Sequence, residues 1–130
     1  MRASLVRRLG PVPLALWFLY GAQAQDRADA LVISPPRIEF GKQTVDSPGA
    51  PVRITVRNPS NSTIRFDQII SSGIDFPSRN DCGKELAAGA ECTVEVRFKP
   101  AISGDRLGAI EIAGSDSGSP HYVPLAGTGE

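Results

Sequence analysis

The sequence predicts an all-β protein: a single immunoglobulin-like antiparallel β-sandwich of about seven strands. Three observations lead there. Short stretches of strict apolar–polar alternation recur, as in Val52-Arg-Ile-Thr-Val-Arg57 and Cys92-Thr-Val-Glu-Val-Arg-Phe98. A period of two marks strands that bury one face and wet the other. Clusters of Gly, Pro, Asn, Asp and Ser separate these stretches, which is the turn chemistry of a sandwich. Downstream of the first 24 residues no segment carries the apolar spacing of an amphipathic helix. The 130 residues have room for one domain.

Residues 1–24 read as a secretory signal peptide. Arg2, Arg7 and Arg8 give a basic start, Leu9 to Tyr20 is apolar, and Ala22 and Ala24 are the small residues before a cut between Ala24 and Gln25. A membrane anchor fits less well. The apolar run falls short of the roughly 20 residues a spanning helix needs, and Pro11 and Pro13 would disturb that helix. The expected address is therefore secreted or periplasmic, with no transmembrane span in the mature chain. Removing the signal takes three of 14 basic residues and none of 14 acidic ones, leaving a net charge of −3. A mildly acidic domain is not designed for general nucleic-acid binding.

The expected strands follow in order. Residues 25–30 form a flexible polar lead-in, and the sandwich occupies 31–130. Leu31-Val-Ile33 starts a first strand. Ser34-Pro35-Pro36 breaks it, and Arg37-Ile-Glu-Phe40 continues it with Ile38 and Phe40 inward. Gly41 and Asp46-Ser-Pro-Gly49 read as turns. Val52 to Asn58 is a half-buried strand, and Asn58-Pro-Ser-Asn61 a turn. Thr63 to Asp67 buries Ile64 and Phe66 and extends towards Ile70. Ile74-Asp-Phe76 is a short apolar piece, and Ser78 to Asp81 a loop. Leu86 plugs the core edge. Cys92, Val94, Val96 and Phe98 share the inner face of the next strand, and Pro100 ends it. Leu107 to Ala113 is a strand with Ile110 and Ile112 inward. His121 to Ala126 is the last strand. Pro124 has no N–H to give a ladder, so this strand belongs at an edge or is paired on one side there.

Two cysteines in an exported chain point to one disulfide, Cys82 with Cys92. Zinc wants four ligands and usually a C-x-x-C pair, which these two sulfurs and the lone His121 do not supply. The spacing also lacks the close pair of a redox site.

These residues together resemble the ASH family of immunoglobulin-like domains, named from the abnormal-spindle and hydin proteins, and most of all its bacterial secreted branch, the choice-of-anchor D type. The resemblance rests on Pro35 or Pro36, Phe40-Gly41, Val56-Arg-Asn58, Cys82, Leu86, Gly89 and Cys92. It continues through Val94-x-Val96-x-Phe98-x-Pro100, Gly104 and Leu125-Ala-Gly-Thr-Gly129, and it spans about residues 31–129. It implies a non-enzymatic β-sandwich, often one module among several in larger surface or cytoskeletal proteins; no cofactor is expected. Bacterial relatives often carry a C-terminal surface anchor. None is seen up to Glu130, so the expectation is a free, single-module protein. The shared positions are core, turn and cysteine positions, and they transfer no ligand site.

Candidate chemistry is thin. An enzyme needs a nucleophile, a base and an orienting group, and no G-x-S-x-G, H-E-x-x-H or P-loop stands in the sequence. His121 reads as an exposed residue at a strand start. Asp116 and Asp105 offer too few oxygens for calcium and read as solvated turns. The strongest feature is a face. If the 52–58 and 92–98 strands are neighbours, Arg53, Arg57, Arg97 and Lys99 share one outer surface, relieved only by Glu95. This is a candidate surface for an acidic partner, glycan or lipid headgroup. Its plain alternative is strand solvation and protection against edge pairing. The expected function is a non-enzymatic structural or protein-interaction module with an envelope or extracellular protein partner. A carbohydrate- or anion-binding accessory domain is one alternative. A pilus-chaperone-like strand-addition partner, using the proline-broken first strand or the Pro124 strand, is the other.

Overall fold

The structure is a computed structural model that describes residues 30–130. The expected signal, its Ala24/Gln25 junction and residues 25–29 of the expected lead-in lie outside the described residues. Nine strands are seen among them: β1 (Val32–Ser34), β2 (Ile38–Gln43), β3 (Val52–Arg57), β4 (Ile64–Ser72), β5 (Ser78–Asn80), β6 (Glu85–Leu86), β7 (Glu91–Val96), β8 (Gly104–Gly114) and β9 (His121–Gly129). They form a four-stranded sheet in the order β1-β3-β7-β5 and a five-stranded sheet in the order β2-β9-β8-β4-β6. Every pairing is antiparallel except β2 with β9.

Alternation placed the long strands correctly, because each buries one face. Ile54 and Val56 of β3, Val94 and Val96 of β7, Ile110 and Ile112 of β8, and Val123 and Leu125 of β9 are all buried between the sheets. Side chains of this kind contribute roughly 1.5–3 kcal/mol each on burial. The departures are local. The first strand does not resume after its prolines in the same sheet. Ser34-Pro35-Pro36 carries the chain across, so β1 pairs with β3 while β2 pairs with β9. Gly41 is not a turn. It lies inside β2 with φ of 73°, where the pairing with β9 slips between Glu39 and Lys42, and a residue without Cβ takes that conformation cheaply. In β4 the register shifts between Phe66 and Gln68. The inward phase therefore passes from Ile64 to Ile69 and leaves Ile70 exposed. Ser78–Asn80 was expected as a loop and is a strand paired with β7. Pro124 is flanked by β8 alone, because β2 joins β9 only from Leu125 onward.

One end of the core is aromatic. The Phe98 ring stacks on Phe76 at 5.1 Å between centroids and lies 5.7 Å from Phe40. Two glycines of the five-stranded sheet form the floor beneath these rings. A Cβ at Gly108 would lie 2.6 Å from Phe76 Cδ2, and one at Gly127 would lie 2.6 Å from Phe98 Cδ2. Two residues on, a Cβ at Gly129 would lie 3.0 Å from Pro100 Cβ and closer still to the Ile102 carbonyl oxygen. Phe98 and Pro100 thus sit over Gly127 and Gly129. The stretch Val94-x-Val-x-Phe-x-Pro100 and the closing Leu125-Ala-Gly-Thr-Gly129 are two halves of one contact between the sheets.

Candidate functional site

The two strands expected as neighbours are neighbours. β3 and β7 pair with Arg53 opposite Glu95, Thr55 opposite Thr93 and Arg57 opposite Glu91. Since Ile54, Val56, Val94 and Val96 face inward, Arg53, Thr55, Arg57, Thr93 and Glu95 stand on the outer face. Arg97 and Lys99 continue it, both exposed. β5 adds a cation that sequence reasoning missed. Arg79 lies opposite Glu95 on the other side of β7. Its Nη2 donates to Glu95 Oε1 at 3.1 Å, while Arg53 Nε lies 3.8 Å from Oε2. Glu95 is largely covered, its side chain 17% exposed, between arginine side chains that are 74% and 80% exposed. Glu95 is not the only acid on the face, because Glu91 stands opposite Arg57. Arg97 Nη1 donates to the Gly49 carbonyl at 3.1 Å.

Two shallow grooves adjoin at Arg79 and Glu95. One of about 300 Å³ is lined by Arg53, Arg79, Asn80, Asp81, Thr93 and Glu95. The other, of about 200 Å³, is lined by Pro77, Ser78, Arg79, Glu95 and Arg97. Ion pairs this exposed are worth about 0–1 kcal/mol, so the arginines are free to turn to an incoming anion. A guanidinium offers five N–H donors in a planar fork suited to carboxylate or phosphate. Charge-assisted hydrogen bonding to such a group is the chemistry this face can do.

The remaining polar groups serve the frame. Cys82 and Cys92 form a disulfide, so these sulfurs are not thiolate ligands for a metal. Asn58, read as a turn residue, is fully buried. Its amide donates to the carbonyls of Ser62, Leu86 and Ala87 at 2.8, 3.0 and 3.2 Å, and its Oδ1 accepts from Ser60 N–H and Oγ–H. The expected apolar piece Ile74-Asp-Phe76 buries Phe76 but turns Ile74 out, and Asp75 is only 2% exposed. Asp75 Oδ1 accepts from Ala101 N–H at 2.8 Å, and Oδ2 accepts from Arg106 Nε and Nη2, both at 2.9 Å. The Ala101 N–H is the chief cause that holds the carboxyl below the usual carboxylate range; burial opposes it and the Arg106 guanidinium assists.

His121 does start β9, but it is not exposed. Its side chain is 18% exposed, and Nε2 lies 2.6 Å from the buried Asp116 Oδ2, which also accepts from Leu31 N–H at 3.0 Å. The neighbouring Ser115 and Ser119 hydroxyls accept from the backbone N–H groups of Arg65 and Gly114. Asp105 stands at the start of the 11-residue β8 and Asp116 two residues beyond its end, too far apart to share a cation. No helix among the described residues is long and apolar enough to cross a membrane.

No protein-family description matches the sequence, and no curated protein matches it. Solved structures do. The ASH/PapD-like domain 7 of human CEP192 superimposes with a TM-score of 0.62 at 12% identity, covering 78% of this chain and 86% of that one. A protein of unknown function from Porphyromonas gingivalis W83 gives 0.66 at 12% identity, over 76% of this chain and 46% of that one. The secreted serine protease VesC from Vibrio cholerae gives 0.60 at 16% identity, over 85% of this chain and 25% of that one. The chain thus spans about half of the Porphyromonas protein and a quarter of the protease. At these identities the likeness is one of fold alone: an immunoglobulin-like β-sandwich, shared with the ASH/PapD-like domain.

Proposed function

We propose that this chain is an exported, non-enzymatic interaction module of the choice-of-anchor D branch of the ASH domains. Residues 1–24 are its signal peptide, 25–30 its lead-in and 31–130 its sandwich. It works in the periplasm or outside the cell, where its disulfide persists. It meets a protein partner through the outer face of the four-stranded sheet. The observation that carries this reading is the set of exposed guanidiniums of Arg53, Arg57, Arg79 and Arg97 on adjoining strands of a rigid, stapled frame. The groove between Arg53 and Arg79 favours a second reading, a small anionic or acidic-glycan ligand on the same face.

The test is crosslinking of the exported, oxidised protein in its native cells, followed by mass spectrometry of the attached peptides. Crosslinks should map to the face and disappear when Arg53, Arg57 and Arg97 are all changed to Ser. Unchanged envelope association in that triple variant would sink the assignment of the face. Recovery of free monomer alone would argue against a stable protein complex.

A further inference from the structure

β5 is one edge of the four-stranded sheet, and β7 is its neighbour there. The bonds flanking β5 set the phase of its ladder. Arg97 N–H donates to the Pro77 carbonyl at 3.0 Å, and Asp81 N–H donates to the Thr93 carbonyl at 3.2 Å. Bonded and non-bonded residues alternate in an antiparallel pair. Pro77, Arg79 and Asp81 therefore aim their backbone groups at β7, and Ser78 and Asn80 aim theirs off the sheet. Ser78 and Asn80 pair non-bonded with Val96 and Val94, and all three residues of β5 are exposed. Their outward N–H and C=O groups form an open template for another strand.

The side chains around this edge select the charge of what can add. Arg53, Arg79 and Arg97 line the adjoining grooves together with Glu95 and Asp81. Both carboxylates are already engaged. Asp81 Oδ1 accepts from Thr93 N–H at 2.7 Å, and Glu95 lies between Arg53 and Arg79. The guanidiniums keep spare donors. Arg79 shares the outer face with Glu95, so every second side chain of an added strand would come beside it.

We propose that β5 accepts an extended acidic segment of the partner protein, which adds as a further strand and seats a carboxylate against Arg79. This deepens the reading of the basic face and rests on it. The backbone of Ser78 and Asn80 supplies the hydrogen bonds, and Arg79 supplies the preference for acid. The expected strand-addition sites, the proline-broken first strand and the Pro124 strand, fit less well. β2 covers β9 from Leu125 onward, on the uncovered part Pro124 has no N–H to give an added strand, and Pro35 and Pro36 follow β1 at once.

The experiment uses the oxidised, exported protein and the synthetic peptide Thr-Asp-Val-Asp-Val-Asp-Thr. A counterpart with Lys for every Asp, and one with Pro at the centre, are the controls. Amide exchange and chemical shifts are followed on titration. The acidic peptide should slow exchange at Ser78 and Asn80 by about tenfold or more at saturation, and bind about tenfold more tightly than either control. Arg79→Ser should remove the preference for acid. Ser78→Pro removes an N–H that bonds nothing in the sheet, and it should abolish the protection while the rest of the spectrum stays native. Equal binding of the acidic and lysine peptides, or no binding at millimolar concentration, overturns the proposal. Acidic binding that leaves the β5 amides unprotected overturns strand addition while the basic-face reading stands.

Discussion

Gly127→Ala should destabilise the protein by about 2–3 kcal/mol through a single ring. A Cβ at Gly127 would lie 2.6 Å from Phe98 Cδ2 and 2.7 Å from Cζ, and closer still to Cε2. Carbon atoms pack best at about 3.5–4.0 Å, so the ring must retreat by about 1 Å. It has nowhere to go. Phe98 is buried, stacks on Phe76 and leans on Phe40, and Phe76 is itself pressed against Gly108. Overpacking of this kind costs about 1–3 kcal/mol, and the absence of give places this site at the upper end. Replacing Gly by Ala usually returns about 0.4–1 kcal/mol through the unfolded chain, which trims the cost slightly. The assay is equilibrium urea unfolding followed by far-ultraviolet circular dichroism. With a slope of about 1–3 kcal/mol/M the midpoint should fall by about 1–3 M. The decisive arm is a double-mutant cycle with Phe98→Leu. In that background the added methyl should cost less than about 0.5 kcal/mol, a coupling of roughly 2 kcal/mol. Additive costs, or a neutral Gly127→Ala, would refute the close approach as the cause.

Asp75→Asn should cost about 1.5–3 kcal/mol at pH 7 by weakening the bonds to Ala101 and Arg106. Because the folded carboxyl titrates below its unfolded value of about 3.9, its contribution is whole above that pH and fades as pH falls through the folded value. The gap between variant and wild type in urea midpoint should therefore narrow below about pH 4; a gap unchanged from pH 7 to strong acid would contradict this. The disulfide spans a sequence separation of 10, a loop worth about 3 kcal/mol, so reduction or a Cys82→Ala/Cys92→Ala pair should lower Tm by about 10 °C or more in calorimetry. Asn58→Ala orphans several buried backbone groups and should cost about 2–4 kcal/mol. Asn58→Asp, which points a carboxylate at the carbonyls of Ser62, Leu86 and Ala87, should unfold at lower urea than the alanine variant.

What the sequence made legible follows from where each signal resides. β3 and β7 announce themselves because a buried face imposes a period of two, and their outer residues, Arg53, Arg57 and Arg97, fall out of the same alternation. β5 has no apolar residue in Ser78-Arg-Asn80 and is held to β7 through its backbone, so Arg79 was missed. Asp75 stood between two large apolar residues and looked incidental, since its partner Arg106 is 31 residues away. The role of Asn58 depends on carbonyls 28 and 29 residues downstream. The pairing of His121 with Asp116, five residues apart, was the more readable omission, because both flank one short loop. The prolines at 35 and 36 marked a break but not a change of sheet, which depends on what lies across the core.

Among the described residues the one parallel ladder, between β2 and β9, joins Ile38 to Leu125 and Gln43 to Gly129, so it ties an early strand of the sandwich to the last. Contacts of such sequence separation form slowly, because a long loop must close first. A ribosome or a translocation pore that has released this domain only as far as Pro120 holds a chain without β9, the strand that β2 and β8 both need. Under the export reading this is an advantage: the polypeptide stays threadable until β9 clears the pore, and then folds on the side of the membrane where its cysteines can be oxidised.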